Sequence, residues 1–307
     1  MSLALKNKNL RDRAELIRRI RDFFYVRNVV EVETPILSTS TGTDVYIDSI
    51  QATANHQTYF LQTSPEYAMK RLLVGGMGDC FQLGKAFRDH EYGHQHHIEF
   101  TMLEWYRLGF DHYALMDEVD ALLQHILKTS PAQRITYQAL FETHLQCNPH
   151  TVSVAALQAL AQRHQVLDAL GAECLHKDSW LMLLMSHVIE PKLGFDVPCF
   201  VYDFPATQAS LAKIRGDVGE RFEVYVRGME LANGFHELQN AAEQGQRFEQ
   251  DLRVRAEQGK FLPPVDHAFL AALAQGLPAC AGVALGVDRL MMIALNQRSI
   301  DDVIAFR

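Results

Sequence analysis

Residues 88 to 100, RDHEYGHQHHIEF, crowd four histidines and three carboxylates into one short stretch. His90-Glu91-Tyr92-Gly93-His94 reads as H-E-x-x-H, the zinc-hydrolase spacing. That chemistry needs a helix, on which residues i and i+4 share a face and the glutamate lies beside the metal-bound water. The flanks argue otherwise. Upstream, Phe81, Leu83, Lys85 and Phe87 alternate with Gln82, Gly84 and Ala86; downstream, Glu99, Thr101 and Leu103 alternate with Phe100, Met102 and Glu104. A period of two is that of strands, and Gly93 inside a helix costs about 1 kcal/mol against Ala. The stretch therefore reads as two strands joined by a polar loop. Such a loop can catch a metal adventitiously, but it is not a protease site.

The elements around that hairpin follow from periodicity. Leu16, Ile20, Phe23 and Phe24 predict an amphipathic helix over 10–27, and VVEVETPIL (29–37) predicts a strand closed by Pro35. Leu115, Val119, Leu122 and Ile126 mark a second helix, with further helical patterns near 153–165 and 178–190. Strands are expected over 199–205 and 222–231, a charged helix over 239–258, and a buried helix over 288–296. Strands concentrate towards the chain ends, with a mainly helical insertion at about 140–195. This order predicts the α+β class, an antiparallel sheet flanked by helices in one domain spanning 1–307.

Composition limits the partners. Of 307 residues 48% are hydrophobic and 21% charged, as in soluble globular proteins. A net charge of −8 excludes general attraction to nucleic acid or anionic membranes. Lys6, Lys8, Arg11, Arg13, Arg18, Arg19, Arg21 and Arg27 nevertheless cluster. Such a run is ordinarily a solvated helix face; docking of an acidic partner is the alternative. Five cysteines, at 80, 147, 174, 199 and 280, contain no C-x-x-C pair, which fits a reduced cytoplasm. The charged N-terminus is no secretory signal, and Trp180–Ile189 is too short to span a bilayer. A cytoplasmic protein is expected.

Three segments carry a resemblance. FFYVRNVVEVETPIL, the hairpin from Arg88 through EFTMLEWY, and GVALGVDRLMM are similar, in this order, to motifs 1, 2 and 3 of the class II aminoacyl-tRNA synthetases. TSPEYAMKRLLVGG, RFEVYVRGMELANGFHEL and FLAALAQGLPACAGVALGVDRL resemble the lysyl branch nearly end to end. The anticodon-binding domain that precedes the catalytic domain there has no counterpart. Short lysyl-type chains of this kind are similar to the ligases that attach (R)-β-lysine to elongation factor P.

The resemblance implies ATP and Mg2+, a homodimer through motif 1, and an AMP-forming ligase. Arg88 is then the residue that bridges substrate carboxylate and α-phosphate, a bidentate task for which Lys is no substitute, and Arg289 the one on the γ-phosphate side. Asp89, His90, His96, His97, Phe100, Glu230, Leu231 and Gly286 are matched to the ATP site, with Phe100 against adenine. Glu223 and Glu230 match the magnesium carboxylates. Seven residues apart on one regular strand they would face opposite sides, so a bulge or loop must intervene. A lysine-like substrate, (R)-β-lysine or lysine itself, brings two ammonium groups, each needing carboxylate partners. Glu66 is matched to one amine, Glu104, Tyr106 and Glu237 to the ε-ammonium, and Asn233 to the carboxylate.

The departures are specific. Ser64-Pro65-Glu66-Tyr67 stands where lysyl-tRNA synthetases read APEL, and Ala284 where they have Gly. Both positions are expected near the carboxylate end of the substrate, where an added hydroxyl and methyl reshape the seat of the amine in favour of β-lysine. One methyl is worth about 1–3 kcal/mol, so discrimination is expected to be partial. In motif 2, Asp89, His90 and His96-His97-Ile98 replace the usual Asn, Glu and His-Asn-Pro. Neutral His90 can still accept from adenine's amino group. Transfer to elongation factor P is the expected function. A free-standing lysyl transferase using tRNA or another acceptor is disfavoured by the acidic charge, and a non-catalytic regulator by the intact arginines and glutamates.

Overall fold

The computed structural model describes residues 3–167 and 176–306, with side chains from residue 6 onward. Cys174 lies outside them; Cys80, Cys147, Cys199 and Cys280 are free thiols. The chain divides into two compact units, Met1–Asp111 with Glu237–Arg307, and His112–His236.

The first unit opens with α1 (Leu3–Tyr25), which starts earlier and ends sooner than its periodicity suggests. Leu16, Ile20, Phe23 and Phe24 are all buried, as the spacing predicts. The strand expected over 29–37 is reduced to β1 (Val30–Glu31) and β2 (Leu37–Ser38). Pro35 between them has no N–H to give to a ladder. β2, β3 (Gln51–Ala54) and β4 (Gln57–Leu61) form a small antiparallel sheet in the order β2-β4-β3. After α2 (Glu66–Val74) comes the hairpin of β5 (Cys80–Phe87) and β6 (Glu99–Leu108), paired from Cys80↔Tyr106 to Phe87↔Glu99. β1 runs parallel to β5, so this sheet is not wholly antiparallel. The Phe24 ring stacks on Phe81 at 4.7 Å and meets Trp105 edge-on at 5.1 Å, which seats α1 on the hairpin.

The second unit begins with α3 (His112–Leu127), whose Leu115, Val119, Leu122 and Ile126 are buried. β7 (Gln133–Thr136) leads into α4 (Tyr137–Leu145), where Thr136 Oγ1 caps the N-terminus by accepting from Ala139 N. α5 (Val154–Arg163), capped by Ser153, and α6 (Lys177–Leu184) realise the two further helical patterns. The second pattern does not stay α-helical: a π turn at Met185–Ile189 and a 3-10 turn at Glu190–Lys192 complete it, the latter around Pro191. Trp180, Phe141, Tyr137 and Leu184 fill the core between these helices and β8 (Cys199–Pro205). β9 (Ile214–Arg215), β10 (Val218–Val226) and β11 (Met229–His236) complete the unit, ordered β11-β10-β8-β7 with β9 also on β10. β7 and β8 are parallel.

The single strand expected over 222–231 is in fact a hairpin. Arg227 and Gly228 both have positive φ, 54° and 71°, and form the two-residue turn that matches strand twist. The alternation of side chains runs through such a short turn, so periodicity alone does not reveal it.

The chain then returns to the first unit with α7 (Ala241–Glu257), α8 (His267–Gly276), β12 (Cys280–Gly286) and α9 (Val287–Ala294). β12 lies antiparallel to β6, giving the order β1-β5-β6-β12. Arg13 departs from the solvated face expected of its neighbours. Its guanidinium reaches Asp288 Oδ1 at 2.7 Å and donates to Thr101 Oγ1 at 2.9 Å, while Thr101 N donates to Asp288 Oδ2 at 2.7 Å. One buried carboxylate thus ties α1, β6 and the start of α9 together, next to Arg289. Strand meanders with helices place the fold in the α+β class. No helix among the described residues is long and apolar enough to cross a membrane.

Candidate active site

In the first unit, α2, β6 and β12 gather the amine-binding candidates. Antiparallel pairing sets Gly282 opposite Tyr106 and Ala284 opposite Glu104, and alternate residues of a strand share a face. Tyr106 Oη donates to Glu104 Oε1 at 2.7 Å and Ser64 Oγ donates to Glu104 Oε2 at 2.8 Å. Ser64 Oγ also accepts from Glu66 N at 3.0 Å, fixing the start of α2 beyond Pro65. Both departures from the lysyl pattern, Ser64 and Ala284, therefore converge on Glu104. Ser64 reaches Glu104 through a hydrogen bond and Ala284 lies across the strand pair from it.

The sequence reading missed Lys70. It is fully buried on α2, one turn after Glu66, with Nζ 2.6 Å from Glu66 Oε1 and 2.5 Å from Glu237 Oε2. The contact with Glu237 joins two side chains that are both almost wholly out of water, and Glu237 Oε1 has no hydrogen-bond partner of its own. The i, i+4 spacing of Glu66 and Lys70 was visible, but such a pair is ordinarily on the surface. Gly282 was missed as well. A methyl there would stand 2.3 Å from Tyr106 Cε1 and 2.5 Å from Glu237 Oε1, so the pocket wall at this point has to be backbone.

Three carboxylates around one ammonium leave two negative charges in a dry place. Burial, with Glu66 beside it, pushes the Glu104 carboxyl up to about 8 against the pull of its bonds to Tyr106 and Ser64. Burial pushes Glu237 up as well, against the attraction of Lys70. For Lys70, burial acts downward, and Glu237 and Glu66 together outweigh it and raise the pKa. Lys70 is the resident cation, and the pocket still lacks positive charge.

The nucleotide candidates lie at the other end of the same hairpin. The loop closes through Arg88 N to Ile98 O at 3.0 Å and Gly93 N to His96 O at 3.1 Å. His90 is exposed with φ 63°, incompatible with a helix, so the H-E-x-x-H geometry is absent. Arg88 lies over the Phe100 ring at 5.1 Å and pairs with Glu91 at 3.4 Å; its Nε is buried without a hydrogen bond. Arg289, on the first turn of α9, contacts His96 Nε2, and burial followed by this guanidinium lowers the His96 pKa. Asp89 accepts from His90 N, and His97 Nδ1 donates to Glu99 O at 2.7 Å. Two arginines, one aromatic face and a neutral imidazole thus stand together. At Gly286 a methyl would meet only Arg289 methylenes at 3.7–3.9 Å, so nothing within the protein demands glycine there.

In the second unit, Glu223 and Glu230 sit on the two strands of the β10–β11 hairpin. Glu223 faces Asn233 and Tyr225 faces Glu230, with a register shift between Val224 and Tyr225 that steps past Leu231. The bulge brings Glu223, Tyr225, Glu230 and Asn233 to one face, resolving the odd spacing. Arg221 reaches Glu223 Oε1 at 2.5 Å and donates to Asn233 Oδ1 at 3.2 Å, and Tyr225 donates to Glu223 Oε2. Two carboxylates with an amide oxygen on one face suit a hard cation such as Mg2+.

This geometry can be set beside known proteins. The family described as tRNA synthetases class II (D, K and N) matches residues 4–307. The chain belongs to that family. It is 51% identical over 308 residues to the elongation factor P–(R)-β-lysine ligase of Vibrio vulnificus, covering 97% of this chain and 95% of the relative. The protein of the same name from Vibrio cholerae is 51% identical over 306 residues, covering 97% and 94%. That from Pectobacterium carotovorum is 50% identical over 307 residues, with the same coverage. The class II fold expected from the three motifs is therefore the right one, and both compact units fall within the family match.

Proposed function

We propose that the protein uses ATP and Mg2+ to activate (R)-β-lysine as its adenylate and transfers the acyl group to a lysine ε-amine of elongation factor P. The observation that carries this reading is the cluster of half-buried Glu66 with buried Glu104 and Glu237, in which Lys70 pairs with Glu66 and Glu237 while Glu104 is bonded to the hydroxyls of Tyr106 and Ser64. A substrate with two ammonium groups supplies the missing charge and displaces the protons that Glu104 and Glu237 otherwise hold. The names of the relatives above point to the same substrate pair.

Chemically, the β-lysine carboxylate oxygen attacks the α-phosphorus and pyrophosphate leaves. The acceptor amine then attacks the acyl carbonyl, AMP leaves as the amide forms, and the amine's proton passes to solvent. Arg88 is suited to orient carboxylate and α-phosphate together, Phe100 to stack the adenine, and Arg289 with neutral His96 to hold the outer phosphates. Glu223 and Glu230 would hold magnesium, which neutralises phosphate charge when bound. Ser64 links the two amine seats, since its hydroxyl accepts from Glu66 N and donates to Glu104, and Ala284 lies opposite Glu104.

The exposed Tyr25, Val26, Val30, Ile36 and Leu37 in the motif 1 segment support a homodimer, and the reaction suits a cytoplasmic enzyme in one domain. ATP–pyrophosphate exchange with α-lysine, (R)-β-lysine or no amino acid tests the reading. Exchange strongest with β-lysine, followed by transfer to elongation factor P, is expected. A preference for α-lysine moves the acceptor to tRNA or another amine, and no exchange removes the ligase reading.

A further inference from the structure

A second cluster of ionisable groups lies in the His112–His236 unit and takes no part in the chemistry above. His112 opens α3, Glu220 lies on β10 and His236 ends β11. Ligand-capable atoms of all three lie within 4.8 Å of one another. A tetrahedral zinc shell with bonds of about 2.1 Å has edges of about 3.4 Å, so side-chain shifts of about an ångström close it.

Two features set this cluster apart from a surface coincidence. His112 is 1% exposed, and neither ring nitrogen has a hydrogen-bond partner. A buried imidazole without a partner is costly, and it stands among potential ligands. The second feature is a bulge. β8 and β10 change register between Gly219 and Phe222, and Asp203 on the facing strand has φ 56°. The distortion brings Asp203 Oδ1 to 3.6 Å from His112 Nε2, close to that zinc edge length. His236 Nδ1 lies 2.6 Å from Glu220 Oε2, and its Nε2 lies 3.1 Å from the Lys213 ammonium. A neutral His236 donating from Nδ1 therefore points its Nε2 lone pair at a positive charge.

We infer that His112, Glu220 and His236, with Asp203 as fourth donor, form a zinc-binding site that fastens the start of α3 to the β8–β10–β11 sheet. Two imidazoles with carboxylate oxygen suit a borderline divalent ion such as Zn2+ better than Mg2+. Two basic residues hold the place meanwhile. Arg215 bridges Glu220 at 3.2 Å and Asp203 at 3.4 Å, but it is largely exposed and free to swing out. Lys213 touches a ligand atom directly, so zinc has to displace it.

The test is calorimetric titration of the chelator-washed full-length chain with ZnCl2 in excess Mg2+, which masks Glu223 and Glu230. One zinc per chain is expected, with a raised Tm on loading. Glu220→Gln and His112→Gln should each weaken binding at least tenfold, and Lys213→Met should tighten it. Co2+ in place of zinc should give the intense visible absorption of a tetrahedral centre, lost in Glu220→Gln. Absence of binding by the wild-type chain overturns the inference, even if Lys213→Met binds. Binding unchanged by Glu220→Gln and His112→Gln also overturns it and assigns the zinc to the exposed histidines of the 88–98 loop. Should the two glutamine variants fail to fold, unchanged affinity in Lys213→Met overturns it independently.

Discussion

The β5–β6 hairpin carries two sites of opposite character. At its closed-in end, Glu104 and Tyr106 meet Ser64, and Lys70 binds Glu66 and Glu237, each charged group partnered and all but Glu66 buried. At its open end, His90 is exposed and His97 half-buried, and the loop is held by backbone hydrogen bonds of its own and to Asp48 and Ile300. This sequence departs from the lysyl-tRNA synthetase pattern in both places, but with unequal consequences. An exchange on a solvated loop leaves desolvation costs almost unchanged. The hydroxyl of Ser64 and the methyl of Ala284 act on a carboxylate in a dry pocket, where small changes alter binding.

Lys70→Met should break this contrast most severely. It leaves buried Glu237 and half-buried Glu66 without their cation, a change worth about 3–5 kcal/mol. Thermal melts should show the loss greater at pH 9 than at pH 6, because the glutamates can neutralise themselves only at the lower pH. A Tm insensitive to the substitution would mean the pocket is wet. Arg88→Ala should lower ATP–pyrophosphate exchange about 10²–10³-fold while leaving Tm within a few degrees, if its charge acts on substrate as proposed.

Without substrate, pH should separate the two ends. A carboxyl whose pKa in the fold is raised from 4.5 to about 8, as for Glu104 and Glu237, gives stability that is full below the lower value. Stability then falls as pH rises towards the upper one, because the unfolded chain binds fewer protons in that window. Glu104→Gln should flatten this slope, as read from Tm against pH, and β-lysine should flatten it in the wild type. Ala284→Gly should raise use of α-lysine relative to β-lysine about tenfold, measured as the ratio of kcat/KM values. The smallest effect is expected of His90→Asn, which tolerates the left-handed backbone: stability within about 0.5 kcal/mol by denaturant titration.

Much of this molecule was legible in its residues. The alternation around 81–87 and 99–104 was enough to reject the H-E-x-x-H helix, because a period of two cannot wrap into a helical face. The three ordered motifs located the class II fold, and the odd spacing of Glu223 and Glu230 demanded a bulge or loop, where the β10–β11 hairpin has both a turn and a register shift. Helix periodicity named the buried faces of α1 and α3 correctly.

What the chain order could not convey is which charges leave water. Lys70 and Arg13 look like any other basic residues on amphipathic helices, yet one is sealed between two glutamates and the other locks Asp288. Burial is decided by neighbours hundreds of positions away, and burial is what raises Glu104 and Glu237. The turn at Arg227–Gly228 was equally hidden, since two residues of positive φ preserve the alternation on either side. Sequence alone determined most of the helices, the family and a set of candidate side chains, because these rest on local period, motif and residue type. Tertiary structure decided the pairings, since only distance and the exclusion of water set the energy of a charge.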